Sequence, residues 1–189
     1  MPRIWKFGAD VDTDQIVPGR YAPYMRPDAD VGDAAFIEAR PDFNQQAQPG
    51  DIIVATDNFG CGSSREYAVE ALRRRKVGAI IANSYARIFF RNALNLGIPL
   101  YEAPEIVQSV ENGQEITLDL ANNHLIVHDE TAGERTFTLP DLPTFAREIL
   151  AAGGIVNYIK EHGRFPGETA PDANATADQG SHSNETVRH

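Results

Sequence analysis

Residues 51–82 read DIIVATDNFGCGSSREYAVEALRRRKVGAIIA, and three patterns follow one another within them. Asp51-Ile52-Ile53-Val54-Ala55 is a short apolar run suited to a buried strand, Ser64 to Arg75 is built of helix formers, and Ala79-Ile80-Ile81-Ala82 is again strand-like. Strand, helix, strand predicts a parallel βαβ unit, because parallel neighbours need a crossover and a helix is the usual one. Between the first strand and the helix lies Asp57-Asn58-Phe59-Gly60-Cys61-Gly62-Ser63-Ser64-Arg65-Glu66. Its two glycines let the backbone turn tightly and approach a ligand, and the helix start that follows offers free N–H groups to an anion. Ser63 and Glu66 also have the spacing of a capping box, in which the serine hydroxyl only satisfies the helix end. The local sequence leaves both readings open.

Downstream, Tyr85 to Leu96 sets Ile88, Phe89, Ala93 and Leu96 near one helical face, Gly97 stops it, and Ile98-Pro99-Leu100-Tyr101 begins another extended segment. After Pro104 the period changes to two, over residues 115–120, 124–128 and 135–139, with turns at Asn122-Asn123 and Thr131-Ala132-Gly133, which predicts an antiparallel meander. A helix is expected over Leu142–Ala152, capped near Asp141 or Thr144, and a shorter one after Gly153-Gly154 to about Lys160. Upstream, Ile4-Trp5-Lys6-Phe7 reads as a strand and Gly8 to Gly19 as an acidic loop. Residues 20–48 read as a long proline-bearing loop with one helical turn around Ala34–Ala39. A loop of that length inside a compact domain is uncommon unless it is a lid or binding loop.

With 189 residues and 42% hydrophobic content the chain has room for one well-buried domain. We expect it over residues 1–162, followed by a disordered tail, 163–189, rich in Gly, Ala, Asp, Asn, Ser and Thr. No run approaches a membrane span, and Met1-Pro2-Arg3-Ile4-Trp5-Lys6 lacks the apolar core of a secretory signal, so a cytoplasmic location is expected. A single cysteine, Cys61, excludes an intrachain disulfide and a cysteine-ligated cluster or zinc site made by this chain alone. The net charge of −10 argues against a nucleic-acid binder, although Arg65, Arg73, Arg74, Arg75, Lys76, Arg87 and Arg91 form one basic stretch. For Arg73 to Lys76 the plain expectation is a solvated helix face.

Several motifs fail on inspection. The glycine turn has no Gly-Lys-Ser/Thr ending, no third glycine of a dinucleotide fingerprint and no Gly-X-Ser-X-Gly elbow. Asp10-X-Asp12-X-Asp14 starts like a calcium loop, but Gln15 stands at the glycine position and Tyr21 at the bidentate acid. His124 and His128 have helical ligand spacing in a segment that reads as a strand.

Three blocks taken together carry a family resemblance: Asp12-Thr13-Asp14-Gln15-Ile16-Val17-Pro18, then Asn58 to Glu66, then Asn83-Ser84-Tyr85-Ala86-Arg87-Ile88-Phe89-Phe90-Arg91-Asn92. In content, order and spacing they resemble the small-subunit family of 3-isopropylmalate dehydratase and homoaconitase, within the aconitase superfamily, over residues 4–160. The resemblance implies an α/β fold, an aconitase-type swivelling β/β/α domain with a parallel βαβ core, antiparallel strands and flanking helices. It also implies a hydro-lyase that isomerises a small hydroxy-dicarboxylate by dehydration and rehydration. The partner would be a large catalytic subunit, in a heterodimer or heterotetramer, carrying a 4Fe–4S cluster that binds the leaving hydroxyl; no cofactor or metal would be bound by this chain, and no nucleic acid or membrane is implied.

By the same match, Ser63 would be the catalytic base and Asp14 an acid that orients a partner, while Ser64, Arg65 and Gly62 would hold substrate carboxylate. A specificity loop would comprise Tyr21, Ala22, Pro23, Tyr24 and Arg26. Homoaconitase-like members tend to carry an arginine where this chain has Pro23, so an isopropyl-like substituent is favoured over a charged arm that would be left unpaired. Homoaconitate, dimethylmalate or citramalate are the alternative substrates, and a non-catalytic anion-binding module is the alternative of another class.

Overall fold

The computed structural model describes residues 1–129 and 133–168. Most of the expected tail, residues 169–189, and Thr131-Ala132 of the expected turn lie outside the described residues. Four strands, β1 (Ile4–Lys6), β2 (Ile52–Ala55), β3 (Ala79–Ala82) and β4 (Leu100–Glu102), form a parallel sheet in sequence order. Between β1 and β2 lie the short helices α1 (Thr13–Ile16) and α2 (Pro41–Gln46); β2 and β3 are joined by α3 (Glu66–Arg74), and β3 and β4 by α4 (Arg87–Asn95). After β4 come α5 (Pro104–Ser109), an antiparallel meander of β5 (Glu115–Asp119), β6 (His124–Asp129) and β7 (Gly133–Thr138), and then α6 (Thr144–Ala151) and α7 (Ile155–His162).

The layering follows from the period of two in fully buried strands. Ile53, Ala55, Ile80 and Ala82 face the side covered by α3 and α4, where Ala68, Val69, Leu72, Phe89 and Ala93 complete one core. Ile52, Val54, Ala79 and Ile81 face the other side, which Ile116, Leu125 and Val127 of the meander and Ile106 and Val107 of α5 cover. Each side chain removed from water in these two cores contributes on the order of 2 kcal/mol of gross hydrophobic stabilisation. The result is the β/β/α arrangement that the family resemblance implies. One buried carboxylate fixes the sheet's entry: Asp51 accepts from the backbone N–H groups of Arg3 and Gln48, at 2.9 Å each, and from the Trp5 indole at 2.7 Å.

The segment 20–48 is more ordered than expected. The helical turn foreseen at Ala34–Ala39 lies earlier, as a 3-10 turn at Val31–Ala34, and α2 was not foreseen at all. Phe36 and Phe43 are fully buried and pack edge to face, 5.1 Å apart, with Phe43 against Trp5 at 5.2 Å. Residues 20–48 are thus held down by two aromatic anchors. Helix α6 begins at Thr144 with Pro143 before it and no side-chain cap, so neither Asp141 nor Thr144 caps it. Among the described residues, no helix is long and apolar enough to cross a membrane.

Candidate active site

Beyond the carboxyl ends of β2 and β3 the chain continues the sheet by isolated bridges, and this places the glycine turn. Phe59 donates its N–H to Ser84 O and accepts from Ala86 N–H, both at 3.0 Å, on one side. On the other, Gly60 N–H donates to Val11 O at 2.7 Å and Thr13 N–H to Cys61 O at 3.0 Å. The turn is therefore laced between residues 10–13 and 84–86, at the end of a parallel sheet where ligands collect in open α/β folds. Gly60 is needed there for two reasons: its φ is +78°, and a Cβ would lie 2.1 Å from the Phe89 ring. Gly62, at φ +88°, needs its freedom for the backbone alone.

Asp12-Thr13-Asp14 divides three tasks. Asp12 caps α1, its carboxylate accepting from Gln15 N–H at 2.7 Å. Thr13 is buried and donates its hydroxyl to the carbonyl of Ser63 at 3.0 Å, which ties α1 to the serine turn. Asp14 forms an ion pair with the Arg65 guanidinium. Arg65 also lies 6.0 Å from the ring of Tyr67, and Tyr67 meets Tyr24 edge to face at 6.3 Å.

The capping box is not made. Arg65 itself, extended at φ −114° and ψ 96°, is the residue before α3, and no side chain caps that helix. Ser63 therefore stands two residues too early to serve the helix end. Ser63 and Ser64 are both exposed, and the Ser63 hydroxyl has no hydrogen-bond partner among the described residues. Together with Thr13, Gly60, Gly62 and Arg65 they line one wall of a cavity of about 300 Å³, whose other wall is the start of α4, from Ala86 to Phe89, with Asn92. The structure thus brings Gly62, Ser63, Ser64 and Arg65 together, and Asp14 joins them through Arg65.

The five residues expected to read the substrate's side group are not on that wall. Ala22 is fully buried, and Tyr21 lies beneath two guanidinium groups, Arg26 at 4.4 Å and Arg20 at 5.5 Å from its ring. Arg20 is further paired with Glu38. Pro23, Tyr24 and Arg26 are exposed. The cavity residues not named as site residues from the sequence are Thr13, Gly60, and Ala86, Arg87, Ile88, Phe89 and Asn92 of the Asn83–Asn92 block, which entered the functional reading only as part of the family resemblance.

Burial, and then Asp12 and Asp10, push the Cys61 thiol above its ordinary value, which disfavours its thiolate. Among the described residues, no group of three or more His, Cys, Asp and Glu side chains is placed to hold a metal ion. His124 and His128 lie on one strand, where four residues span about 13 Å, and His128 is bonded to Thr117 and Glu134. The expected solvated face is partly engaged: Arg73 and Arg74 pair with Glu70, and Arg75 donates to the carbonyls of Asn44 and Ala47.

Comparison with known proteins bears on the same residues. Residues 12–104 match the aconitase C-terminal domain family. The chain is 51% identical over 168 residues to the homoaconitase small subunit of Thermus thermophilus, covering 89% of this chain and 100% of that one. It is 46% identical over 181 residues to 3-isopropylmalate dehydratase small subunit 1 of Deinococcus radiodurans, covering 96% and 98%. A crystal structure of 3-isopropylmalate dehydratase from Methanocaldococcus jannaschii superposes with a TM-score of 0.69 at 38% identity, over 86% of this chain and 93% of that one.

Proposed function

Because this chain belongs to the aconitase C-terminal domain family, we propose that it acts as the small subunit of a 3-isopropylmalate dehydratase, a two-subunit hydro-lyase of leucine biosynthesis. The observation that carries the reading is the unpartnered Ser63 hydroxyl beside Arg65 on one cavity at a helix start without a side-chain cap.

In this reading Ser63, as its alkoxide, takes the proton from the carbon beside a substrate carboxylate. The electron pair left behind forms the double bond as hydroxide leaves the neighbouring carbon. In the second half the same oxygen returns the proton to the carbon that lost hydroxide while hydroxide adds at the carbon that lost the proton, so one proton and one hydroxide leave and return across the isomerisation. An isolated serine is too weakly acidic for this, and its charged form must be favoured by cationic and N–H neighbours. Arg65 and the N–H groups at the start of α3 supply them, and a bidentate guanidinium–carboxylate contact with Arg65 orients the substrate. Ser64 and Gly62 contribute a hydroxyl and a close backbone approach to the same carboxylate, and Asp14 holds Arg65 in place.

The donor set of this chain, with one cysteine, does not fit an iron–sulfur cluster, and we assign that group to the large subunit. For the substrate, Arg20 is paired with Glu38, Arg26 lies over the Tyr21 ring, and Pro23 is apolar where homoaconitase-like members tend to carry an arginine. An alkyl side arm suits that segment better.

The test is anaerobic reconstitution with a matching large subunit and its cluster. Ser63→Ala is expected to lower isomerase turnover by about 100-fold or more, the usual range for a lost general base. Full turnover by that variant refutes the assignment. A panel of isopropylmalate, citramalate, dimethylmalate and homoaconitate on one holoenzyme tests the substrate, and preference for the tricarboxylate would replace it.

A further inference from the structure

We propose that Arg87 is a second carboxylate anchor of the substrate site, sharing with Arg65 the lining of the cavity that contains Ser63. This rests on the reading of the chain as part of a dicarboxylate hydro-lyase.

The position of Arg87 is fixed by the backbone. Hydrogen bonds between Phe59 and residues 84–86 hold the start of α4 alongside the glycine turn, and Phe89 packs onto the bare Cα of Gly60. The first residues of α4 are thereby held at the cavity whatever their side chains.

The charges around the cavity then single Arg87 out. The Arg65 guanidinium is already paired with Asp14. Arg73, Arg74 and Arg75 are engaged with Glu70 and with backbone carbonyls away from the cavity. Arg87 is exposed, and its side chain has no ion pair or hydrogen bond among the described residues. A malate-type substrate brings two carboxylates, and a site that closes over it must pair both, since an unpaired buried carboxylate is costly. One guanidinium that already carries a carboxylate does not meet that need. A second one, planar and able to bind bidentately, does. Arg91, one turn further along α4, provides an internal control: it lines a separate cavity of about 520 Å³ with Tyr85, Phe90 and Leu100, although Arg87 borders that space too.

The experiment compares Arg87→Ala, Arg87→Lys and Arg91→Ala in the reconstituted holoenzyme. Arg87→Ala is expected to raise KM about 10- to 100-fold, the range for a lost charge-assisted hydrogen bond. Turnover should change less than KM, because the anchored carboxylate keeps its charge throughout and Arg87 holds it alike before and during the reaction. Arg87→Lys should recover part of the loss and Arg91→Ala should leave KM unaltered. A substrate monoester lacking the anchored charge should show the same KM with wild type and Arg87→Ala. The proposal is overturned if Arg87→Ala keeps KM within about twofold of wild type, if Arg91→Ala raises it equally, or if weakened binding of the large subunit accounts for the whole loss. Absence of turnover by the wild-type holoenzyme on every hydroxy-dicarboxylate would instead overturn the functional reading on which the proposal stands.

Discussion

A methyl group added to Gly60 would stand 2.1 Å from Cγ of Phe89, 2.4 Å from Cδ2 and 2.5 Å from Cβ, on a residue whose φ is +78°. The Gly60→Ala variant therefore meets two costs. Left-handed backbone in a non-glycine residue costs about 1–2 kcal/mol, and forced repacking of a filled core about 1–3 kcal/mol, so a destabilisation of about 2–5 kcal/mol is expected. Phe89 has little room to retreat, since it is 2% exposed and stands edge to face with Phe59 at 5.3 Å. Urea unfolding of the isolated chain measures the sum, and a double-mutant cycle separates its parts. Phe89→Ala alone should cost about 3–5 kcal/mol by leaving a cavity, while the pair Gly60→Ala/Phe89→Ala should cost about 1–3 kcal/mol less than the sum of the two single changes. The residual would be the backbone cost, which no change at Phe89 relieves. A Gly60→Ala cost under about 1 kcal/mol together with additivity in the cycle would refute the reasoning, because it would mean that α4 is not seated on the bare Cα.

Two further outcomes follow from the ion pairs. Asp14→Asn should leave stability within about 1 kcal/mol of wild type, as for an exposed pair; in the holoenzyme it should lower kcat/KM by about 10-fold, a loss of the size expected for one charge-assisted contact. Restoration by Asp14→Glu would mark Asp14 as a positioning residue, and an unchanged kcat/KM would remove it from the site. The Glu70 carboxyl is held below the ordinary carboxylate range, first by its hydrogen bond from Arg73 and then by Arg74. Its contribution is thus complete above the unfolded value of about 4.3 and is lost as pH falls through the lowered folded value. Glu70→Gln should lose up to about 1 kcal/mol at pH 7, and the gap to wild type in urea midpoint should narrow as pH falls below about 4.3; an equal gap at neutral and acid pH would refute the linkage.

The parallel core was legible because buried strands and their helices leave a pattern that tertiary context rarely overrides. Ile52–Ala55 and Ala79–Ala82 are apolar throughout, and the residues between them are helix formers with an apolar face. The two short helices that went unseen both begin with proline. Pro41 and Pro104 each occupy the start of a helix, where a missing N–H costs nothing and the fixed φ is already helical, so residues that argued for irregular chain instead opened α2 and α5. At six residues each, neither helix is long enough to show its periodicity. Their stability comes from contacts such as Phe43 on Trp5, which are distant in sequence.

The site divides along the same line. Ser63, Ser64 and Arg65 are consecutive in one motif, whose local sequence left capping and binding both open and whose roles only the family resemblance implied; with Arg65 extended, the serine hydroxyl is released from capping. The segment from Tyr21 to Arg26 shows the opposite case. Whether a side chain there meets the cavity depends on how residues 20–48 fold back, and that is decided by Phe36 and Phe43 in the core and by Glu38 on Arg20. Nothing within the segment itself encodes Ala22 turning inward. Arg87 belongs to a third kind. It is far from Ser63 in sequence and becomes its neighbour because Phe89 needs Gly60 to be glycine. A single steric requirement, one glycine beneath one ring, thus brings the helix with the unpaired guanidinium to the serine turn, and a change at Gly60 should therefore raise KM as well as lower stability.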